Sequence, residues 1–285
     1  MIIIRIHGGL GNQMFQYALG LALSEAHGTP LKIDSSYLVS VNQSGRDFRL
    51  HGFSITPVEA TAAEICSYTG TVQRIFDHVR PASAKKRIVE KTPAFNPKIL
   101  TLKKGYFDGH WQSEQYFRGR EATVRKNFAL KNPFGPAAQK IAHHVRSAQN
   151  AISVHIRRGD YVTIEKVARV HGVLPLAYYE TAMEKIVEHA PNAHFFISSD
   201  DIAWAKEHFP KKYPATFVSS PEIPDYEELI LMSLCAHHII ANSTFSWWGA
   251  WLNQKPEKIV IAPKNWFSDH NRVIPDLIPP SWIQM

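Results

Sequence analysis

The chain has 285 residues, 45% of them hydrophobic, which is enough for one large or two medium domains with ordinary cores and excludes a disordered protein. Lys and Arg outnumber Asp and Glu by 32 to 25, and this formal charge of +7 would suit nucleic acid, an anionic membrane surface or phosphorylated small molecules. The basic residues are scattered and no helix-turn-helix, zinc-finger or aromatic RNA-binding motif accompanies them, so we expect no nucleic acid as partner.

The sequence shows neither a membrane-spanning run nor the pattern of a signal peptide. No run approaches the roughly 20 apolar residues of a membrane-spanning helix, and "MIIIRIHGGLGNQ" has neither a basic leader nor a cleavage site. We therefore expect a cytoplasmic protein. The densest basic run, "AKKR" at 84–87, indicates a solvated loop, with a peripheral contact at the inner face of the membrane as the alternative.

Of the two cysteines, Cys235 lies in the apolar run "LILMSLCA", which favours a small buried side chain over a disulfide.

The chain begins with a predicted strand, loop and helix. The strand is "MIIIRI", the loop is "HGGLGNQ", and the helix has its apolar face at Phe15, Ala18, Leu19, Ala22, Leu23 and Ala26. The loop lacks the dinucleotide fingerprint, because Met14 stands where the third glycine would be, so a nicotinamide or flavin fold is poorly supported. Gly11 still lets the backbone approach a ligand, and Asn12 either caps the helix or faces that ligand.

The middle of the chain, residues 40–148, shows a weaker pattern, with short patches such as "GFSITP" and "KKGYFDGHWQSEQYF". The prolines and glycine of "KNPFGPAAQ" at 131–139 mark the expected boundary between two domains, which we place between residues 138 and 139.

The second half alternates regularly between strands and helices, which predicts a parallel sheet covered on both faces. The predicted strands are 152–156, 194–198, 215–219, 238–242 and 258–262, and the predicted helices are 177–190, 200–209, 225–238 and 245–253. "RRGD" (157–160), "SSDD" (198–201) and "NSTFS" (242–246) each follow a strand directly. Since parallel sheets bind ligands at the carboxyl ends of their strands, we expect these three polar clusters to gather at one edge.

Arg157 and Arg158 are adjacent at the end of a strand, so their side chains should point in opposite directions. One guanidinium can face a ligand while the other braces the structure. The planar fork of donors suits a diphosphate. The alternative is a structural salt bridge with Asp160.

The other two clusters offer complementary groups. Ser243, Thr244 and Ser246 precede a helix whose N-terminal N–H groups can receive phosphate oxygens, while the tryptophans of that helix are expected in the core. In "SSDD" we favour recognition of a nucleobase by one aspartate and helix capping by the other. The chain has no Asp-x-Asp motif, and the pairs His143-His144 and His237-His238 lack zinc-ligand spacing in mostly helical, apolar surroundings.

Five segments together carry a family resemblance. "GGLGNQMFQYALG", "GYFDGHWQSEQYF", "SVHIRRGDYV", "FFISSDD" and "ANSTFSWWGAWL" resemble the α-1,2-fucosyltransferases of bacteria and animals, glycosyltransferase family 11, from residue 1 to about residue 267. The His-x-Arg-Arg-x-Asp element is shared with other fucosyltransferases, whereas "STFSWWGA" and "GLGNQMFQYA" are specific to the family. His110 departs from the family pattern, which more often has an aromatic residue there.

The resemblance implies an α/β fold of GT-B type, with two Rossmann-like domains facing a cleft. Residues 1–138 would form the acceptor side and residues 139–285 the donor-binding domain, with the final segment packing back on the first domain. The implied reaction moves L-fucose, with inversion, from GDP-β-L-fucose to the 2-OH of a terminal galactose in a surface polysaccharide or oligosaccharide such as an O-antigen. No metal or cofactor is implied. A GT-B enzyme with another nucleotide sugar or linkage, and a non-catalytic glycan-binding protein, are the alternatives.

The resemblance also implies roles for individual residues. Arg157, with Arg158 beside it, would bind the donor diphosphate; His155 and either Asp200 or Asp201 would contact guanine; and Ser243, Thr244, Phe245 and Ser246 would hold phosphates. Asp160 would orient the arginines, and Asn12, next to Gly11, would approach the reacting centre. A fixed cation at the diphosphate stabilises charge that gathers on departing GDP, so Arg157 would take the usual role of a metal. The base that removes the acceptor proton stays unassigned among Asp160, a phosphate oxygen and water.

Overall fold

The computed structural model describes residues 1–40, 47–71, 73, 75–76, 85–269 and 272–285, and its chain divides into two compact units. The first comprises Met1–Lys131 and Ile274–Leu277, and the second comprises Asn132–Val273 and Ile278–Met285. The division after Lys131 precedes the predicted boundary at 138/139, which instead falls inside a helix that starts at Pro136. Of the final segment, 274–277 groups with the first unit and 278–285 with the second.

The first unit is built on a parallel sheet. Its elements are β1 Ile2–Arg5, α1 Leu10–His27, β2 Leu31–Asp34, α2 Ser36–Ser40, α3 Ala62–Thr69, β3 Arg87–Val89, β4 Gly105–Asp108 and α4 Glu121–Asn127, with 3₁₀ turns at Leu50–Gly52, Pro97–Thr101 and Glu114–Phe117. The strand order is β2-β1-β4-β3, so β1 and β4 are the central pair. The run of isoleucines in β1 is fully buried, as expected for a strand of a parallel sheet that is covered on both faces.

Helix α1 confirms the predicted apolar face with one exception. Phe15, Ala18, Leu19, Ala22 and Leu23 are buried, but Ala26 is exposed because the helix ends one residue later, at His27. Gly28 closes the helix with φ of 58° and donates its N–H to the Ser24 carbonyl, a left-handed cap that favours glycine.

The second unit confirms the alternation predicted from the sequence. Its elements are α5 Pro136–Ser147, β5 Asn150–Ile156, α6 Gly159–Thr163, α7 Glu165–His171, α8 Leu176–Val187, β6 Ala193–Ser199, α9 Ile202–His208, β7 Ala215–Phe217, α10 Asp225–Leu234, β8 His237–Ile239, α11 Thr244–Leu252, β9 Val260–Ala262 and β10 Ile283–Gln284. The strands pair in parallel in the order β10-β9-β8-β5-β6-β7. Apolar clusters that include α8 and α5 pack against the sheet. Strand β5 is therefore a central strand, and the polar turn that follows it begins at Arg157.

The predicted helix 225–238 is too long. Helix α10 ends at Leu234, and His237 and His238 lie in β8 and not on a helix. His237 Nδ1 accepts from the Ile259 N–H at 3.0 Å, and His238 Nε2 lies 2.8 Å from Asn253 Nδ2. Both rings are buried, so the pair packs inside the unit. Cys235 is fully buried, as predicted.

Candidate functional site

Arg157 is the first residue after β5, where its guanidinium lies between two carboxylates. Its Nη2 donates to Asp160 Oδ1 at 2.5 Å, and its Nη1 lies 3.0 Å from Asp200 Oδ2. Burial alone would lower the pKa of Arg157, but Asp200 and Asp160 outweigh it and raise that pKa, so the charge is fixed. The side chain keeps 27% of its surface exposed. The salt bridge to Asp160 considered above is therefore present, and a second acid shares the same cation.

Arg158 has different surroundings. Its guanidinium lies 3.9 Å from the centre of the Trp204 ring, and its Nε donates to Asp201 Oδ2 at 3.2 Å. A cation over an indole face with a carboxylate at its edge is a well-satisfied structural position. The two guanidinium groups thus have separate partners, as alternation along the strand predicts.

Asp200 and Asp201 also have separate surroundings. Asp201 is the N-cap of α9 and accepts from the Trp204 N–H at 3.2 Å. Asp200 accepts from the Arg158 backbone N–H at 2.8 Å through Oδ1, while its Oδ2 faces Arg157. A Cβ at Gly159 would lie 2.3 Å from Asp200 Oδ2, so glycine is what lets the acid approach.

His155 is buried near the end of β5, with its ring 5.5 Å from that of Phe245. Burial, helped by the positive charge of Arg157, lowers the pKa of His155 to about 3. The imidazole is neutral at pH 7, and its Nδ1 is buried without a hydrogen-bond partner among the described residues. A buried polar nitrogen of this kind can gain a bond from a ligand.

The turn before α11 uses its hydroxyls internally. Ser243 caps the helix by accepting from the Phe245 N–H at 3.3 Å, and Ser246 Oγ donates to the Ser243 carbonyl at 3.2 Å. Thr244 and Phe245 are half-buried at the start of the helix. The tryptophans of this helix are buried, which confirms that they belong to the core; they are Trp247, Trp248 and Trp251.

Glu228, which the sequence analysis did not single out, lies in the same unit. Ser219 Oγ donates to its Oε1 at 2.9 Å, and Ser198 also hydrogen-bonds to the carboxyl. Burial raises the pKa of Glu228 to about 7, against the effect of these hydrogen bonds. The sequence signal that could have identified Glu228 is helical spacing. Residues three and four apart share a face of a helix, and Leu231 and Met232 are buried, so Glu228 lies on the inward face.

Asn12 and Gly11 lie in the first turn of α1, in the first unit. The N-cap of that helix is Gly9, so the interpretation of Asn12 as the cap is wrong. Asn12 Oδ1 instead accepts from Gln112 Nε2 at 2.9 Å. Gly8, with φ of 80°, allows this packing, since a Cβ there would lie 2.7 Å from Asn12 Nδ2.

Solved structures identify the fold. The fucosyltransferase NodZ from Bradyrhizobium matches with a TM-score of 0.51 at 15% identity, over 87% of this chain and 92% of NodZ. POFUT1 in complex with GDP matches with a TM-score of 0.50 at 15% identity, over 92% of this chain and 97% of POFUT1. At such identity the likeness shows the fold alone. It confirms an α/β fold of GT-B type, which is a glycosyltransferase architecture.

Sequence relatives give the family. The model for glycosyl transferase family 11 matches residues 78–285. An α-1,2-colitosyltransferase of Escherichia coli is 33% identical over 100% of this chain and 99% of its own length, and the O-antigen biosynthesis glycosyltransferase WbnK of the same species is 30% identical over 98% and 99%. Human galactoside α-(1,2)-fucosyltransferase 1 is 26% identical over 86% of this chain and 64% of its own length. The chain belongs to glycosyltransferase family 11.

No helix of the described residues combines the length and the apolar character needed to cross a membrane.

Proposed function

We propose that the protein is an inverting, metal-independent transferase that moves L-fucose from GDP-β-L-fucose to the 2-OH of a terminal galactose. The observation that carries the proposal is Arg157, a cation fixed by Asp160 and Asp200 at the end of a central strand of the second sheet. As the bond to the sugar breaks, negative charge gathers on GDP. A guanidinium already held in place stabilises that charge without reorganisation. The names of the relatives, α-1,2-fucosyl and α-1,2-colitosyl transferases, support the linkage.

In this proposal the second unit binds GDP. Arg157 takes the diphosphate, the turn at 243–246 takes phosphate oxygens, and His155 contacts guanine. For the carboxylate on guanine we favour Glu228. Asp200 already serves both arginines and Asp201 caps a helix. Glu228 is instead a half-buried acid without a cationic partner among its described contacts, and a guanine edge offers it two N–H donors.

The protein would act in the cytoplasm on an O-antigen or a related surface glycan, with a peripheral membrane contact as a further part of the proposal. Ala84 of the basic run "AKKR" lies outside the described residues. Arg87 of the same run binds Asp108 at 2.8 Å, so that side chain is not a freely solvated charge.

A second donor can be tested directly, because a relative of 33% identity is named a colitosyltransferase. Colitose is L-fucose without its 3-hydroxyl, so the two donors differ by one polar group. The purified protein is incubated with GDP-fucose, GDP-colitose and a panel of galactosides in excess EDTA, and the product linkage is read by NMR. We expect an α-1,2-fucosyl product. A preference for GDP-colitose would show that the donor is GDP-colitose and not GDP-fucose. Activity restored only by magnesium or manganese would overturn metal independence.

A further inference from the structure

An aromatic ring lies beside the cation to which the proposed function gives the diphosphate. Tyr161 lies in α6, shortly after Arg157, and is buried. The Cζ atom of Arg157 is 5.1 Å from the centre of the Tyr161 ring, within the range of a cation–π contact. The ring of His171, at the end of α7, stacks on that of Tyr161, with centres 4.8 Å apart and planes 12° from parallel. The guanidinium thus has an aromatic contact in addition to the two carboxylates that bind its Nη atoms.

The hydroxyl of Tyr161 reaches a second turn of the same unit. It donates to the Asn242 carbonyl at 3.1 Å, and both residues are buried. Asn242 is itself held in place, because its Nδ2 donates to the carbonyls of His171 at 2.9 Å and of Trp266 at 3.2 Å. The next residue is Ser243, the N-cap of α11. A single side chain therefore connects the guanidinium that follows β5 to the turn that starts α11.

Tyr178 shows what a tyrosine of this unit does when it has only a structural role. Its hydroxyl donates to the Ile240 carbonyl at 2.8 Å, in the same segment of chain that leads to Asn242. None of its described contacts involves Arg157. The bond from a tyrosine hydroxyl to a carbonyl is thus common to both side chains, and the contact with the guanidinium distinguishes Tyr161.

We propose that Tyr161 is a positioning residue of the transfer, which holds the Arg157 guanidinium in register with the turn at 243–246; the inference rests on the proposed function. In that function the guanidinium and the turn bind one diphosphate. The bond from the anomeric carbon to GDP breaks, and its electron pair stays on the β-phosphate oxygen. Both groups stabilise that charge only when they are in place together. Tyr161 acts through Arg157 and is therefore not itself a catalytic residue.

The kinetic test compares Tyr161→Phe, Tyr161→Leu and the control Tyr178→Phe in turnover, KM for GDP-fucose and melting temperature. Tyr161→Phe keeps the ring but loses the bond to Asn242, so turnover should fall about fivefold with a smaller change in KM. Tyr161→Leu also loses the ring beside Arg157, and its turnover should fall about 30-fold. Tyr178→Phe loses the same kind of hydrogen bond, so it should lower the melting temperature like Tyr161→Phe and leave turnover close to that of the parent.

Affinities for GDP and GMP measure the same effect without transfer. The preference for GDP over GMP depends on the second phosphate, so it should shrink about fivefold in Tyr161→Leu and stay unchanged in Tyr178→Phe. In an Arg157→Lys background, Tyr161→Leu should cost less than about twofold in GDP affinity, because the group through which it acts is already lost. An unchanged preference in Tyr161→Leu, or full additivity with Arg157→Lys, would overturn the proposal.

A readout without any ligand separates this proposal from the proposed function. The Nε–H signal of Arg157 in NMR spectra, assigned by its loss in Arg157→Lys, should report a restrained side chain in the parent and in Tyr178→Phe and a more mobile one in Tyr161→Leu. Equal restraint in the parent and in Tyr161→Leu would overturn the positioning role. If restraint depends on Tyr161 and the parent binds GDP but transfers no sugar, the positioning of Arg157 stands and the proposed transfer fails.

Discussion

Arg157 and Arg158 show how adjacent residues of one type acquire different roles. Arg157 lies between Asp160 and Asp200, and Arg158 lies on Trp204 beside Asp201. The difference follows from the alternation of side chains at the end of β5. In our proposal the first guanidinium meets the ligand and the second supports the turn.

Glu228→Gln tests the assignment of the guanine contact. The amide keeps the shape but loses the charge, so at pH 8, above the pKa of about 7 of Glu228, GDP affinity should fall about 10- to 100-fold, the worth of charged hydrogen bonds. Discrimination against IDP, which lacks the 2-amino group, should shrink. Glu227→Gln is the matched control, because Glu227 accepts from the Gly135 N–H and should affect stability without changing this selectivity. Parent-like binding of GDP and IDP by Glu228→Gln would rule the contact out.

Asn12→Ser tests whether the side chain of Asn12, in the first unit, contributes to turnover. Serine is too short to keep the hydrogen bond to Gln112, but no helix cap is lost, since Gly9 is the N-cap. We expect stability to fall by only about 1 kcal/mol, the worth of one hydrogen bond, while turnover falls at least about tenfold. Steady-state kinetics and melting curves measure both. Unchanged turnover would contradict the role in the transfer that the family resemblance implies for Asn12.

At the scale of the element, aspartates hold the polar turns that follow β5 and β6 in place through salt bridges and a helix cap. Asp200→Ala and Asp201→Ala separate two functions of one dipeptide. Loss of the cap at Asp201 should lower the free energy of unfolding by about 1 kcal/mol and leave turnover close to that of the parent. Asp200→Ala removes one of the two carboxylates that hold the Arg157 guanidinium, so turnover should fall about tenfold through poorer alignment. Steady-state kinetics and melting curves of both variants decide, and the reverse pattern would contradict these assignments.

The sequence predicted the elements with a strong period and missed those without one. The strands and helices of the second unit alternate clearly, and the strand ends place Arg157, Asp200 and Ser243 in advance. Strand β4, which is central in the first sheet, has only four residues, and "GYFD" shows no alternation that would identify it. Helix α10 and strand β8 form one continuous apolar run, and only tertiary packing separates them. The contact between Tyr161 and Asn242 joins residues far apart in the chain, which no local pattern reveals.

At the scale of the whole molecule, buried neutral histidine makes stability depend on pH. The pKa of His155 is about 3 in the folded chain and near 6.5 when unfolded, so the residue has no effect above pH 6.5. Below pH 6.5, His155 is protonated in the unfolded chain but not in the folded chain. The free energy of unfolding therefore falls by about 1.4 kcal/mol per pH unit. Between about pH 6.5 and 5 the parent should lose about 2 kcal/mol more than His155→Gln, as measured by urea unfolding at each pH. Exposed His143→Gln is the control and should follow the parent, and equal slopes for all three would contradict the account.

The most direct test of the central claim compares Arg157→Lys with Arg158→Lys. Lysine keeps the charge but replaces a planar fork by a mobile point charge. If Arg157 holds the departing diphosphate, Arg157→Lys should lose turnover on the order of a hundredfold, about 2.7 kcal/mol, with a smaller loss of GDP affinity. Arg158→Lys should lower the melting temperature, because lysine cannot stack a planar guanidinium on Trp204, and should have a small kinetic effect. If Arg158→Lys is inactive but normally stable, or if neither variant loses more than a few-fold in turnover, the claim that Arg157 holds the diphosphate is wrong.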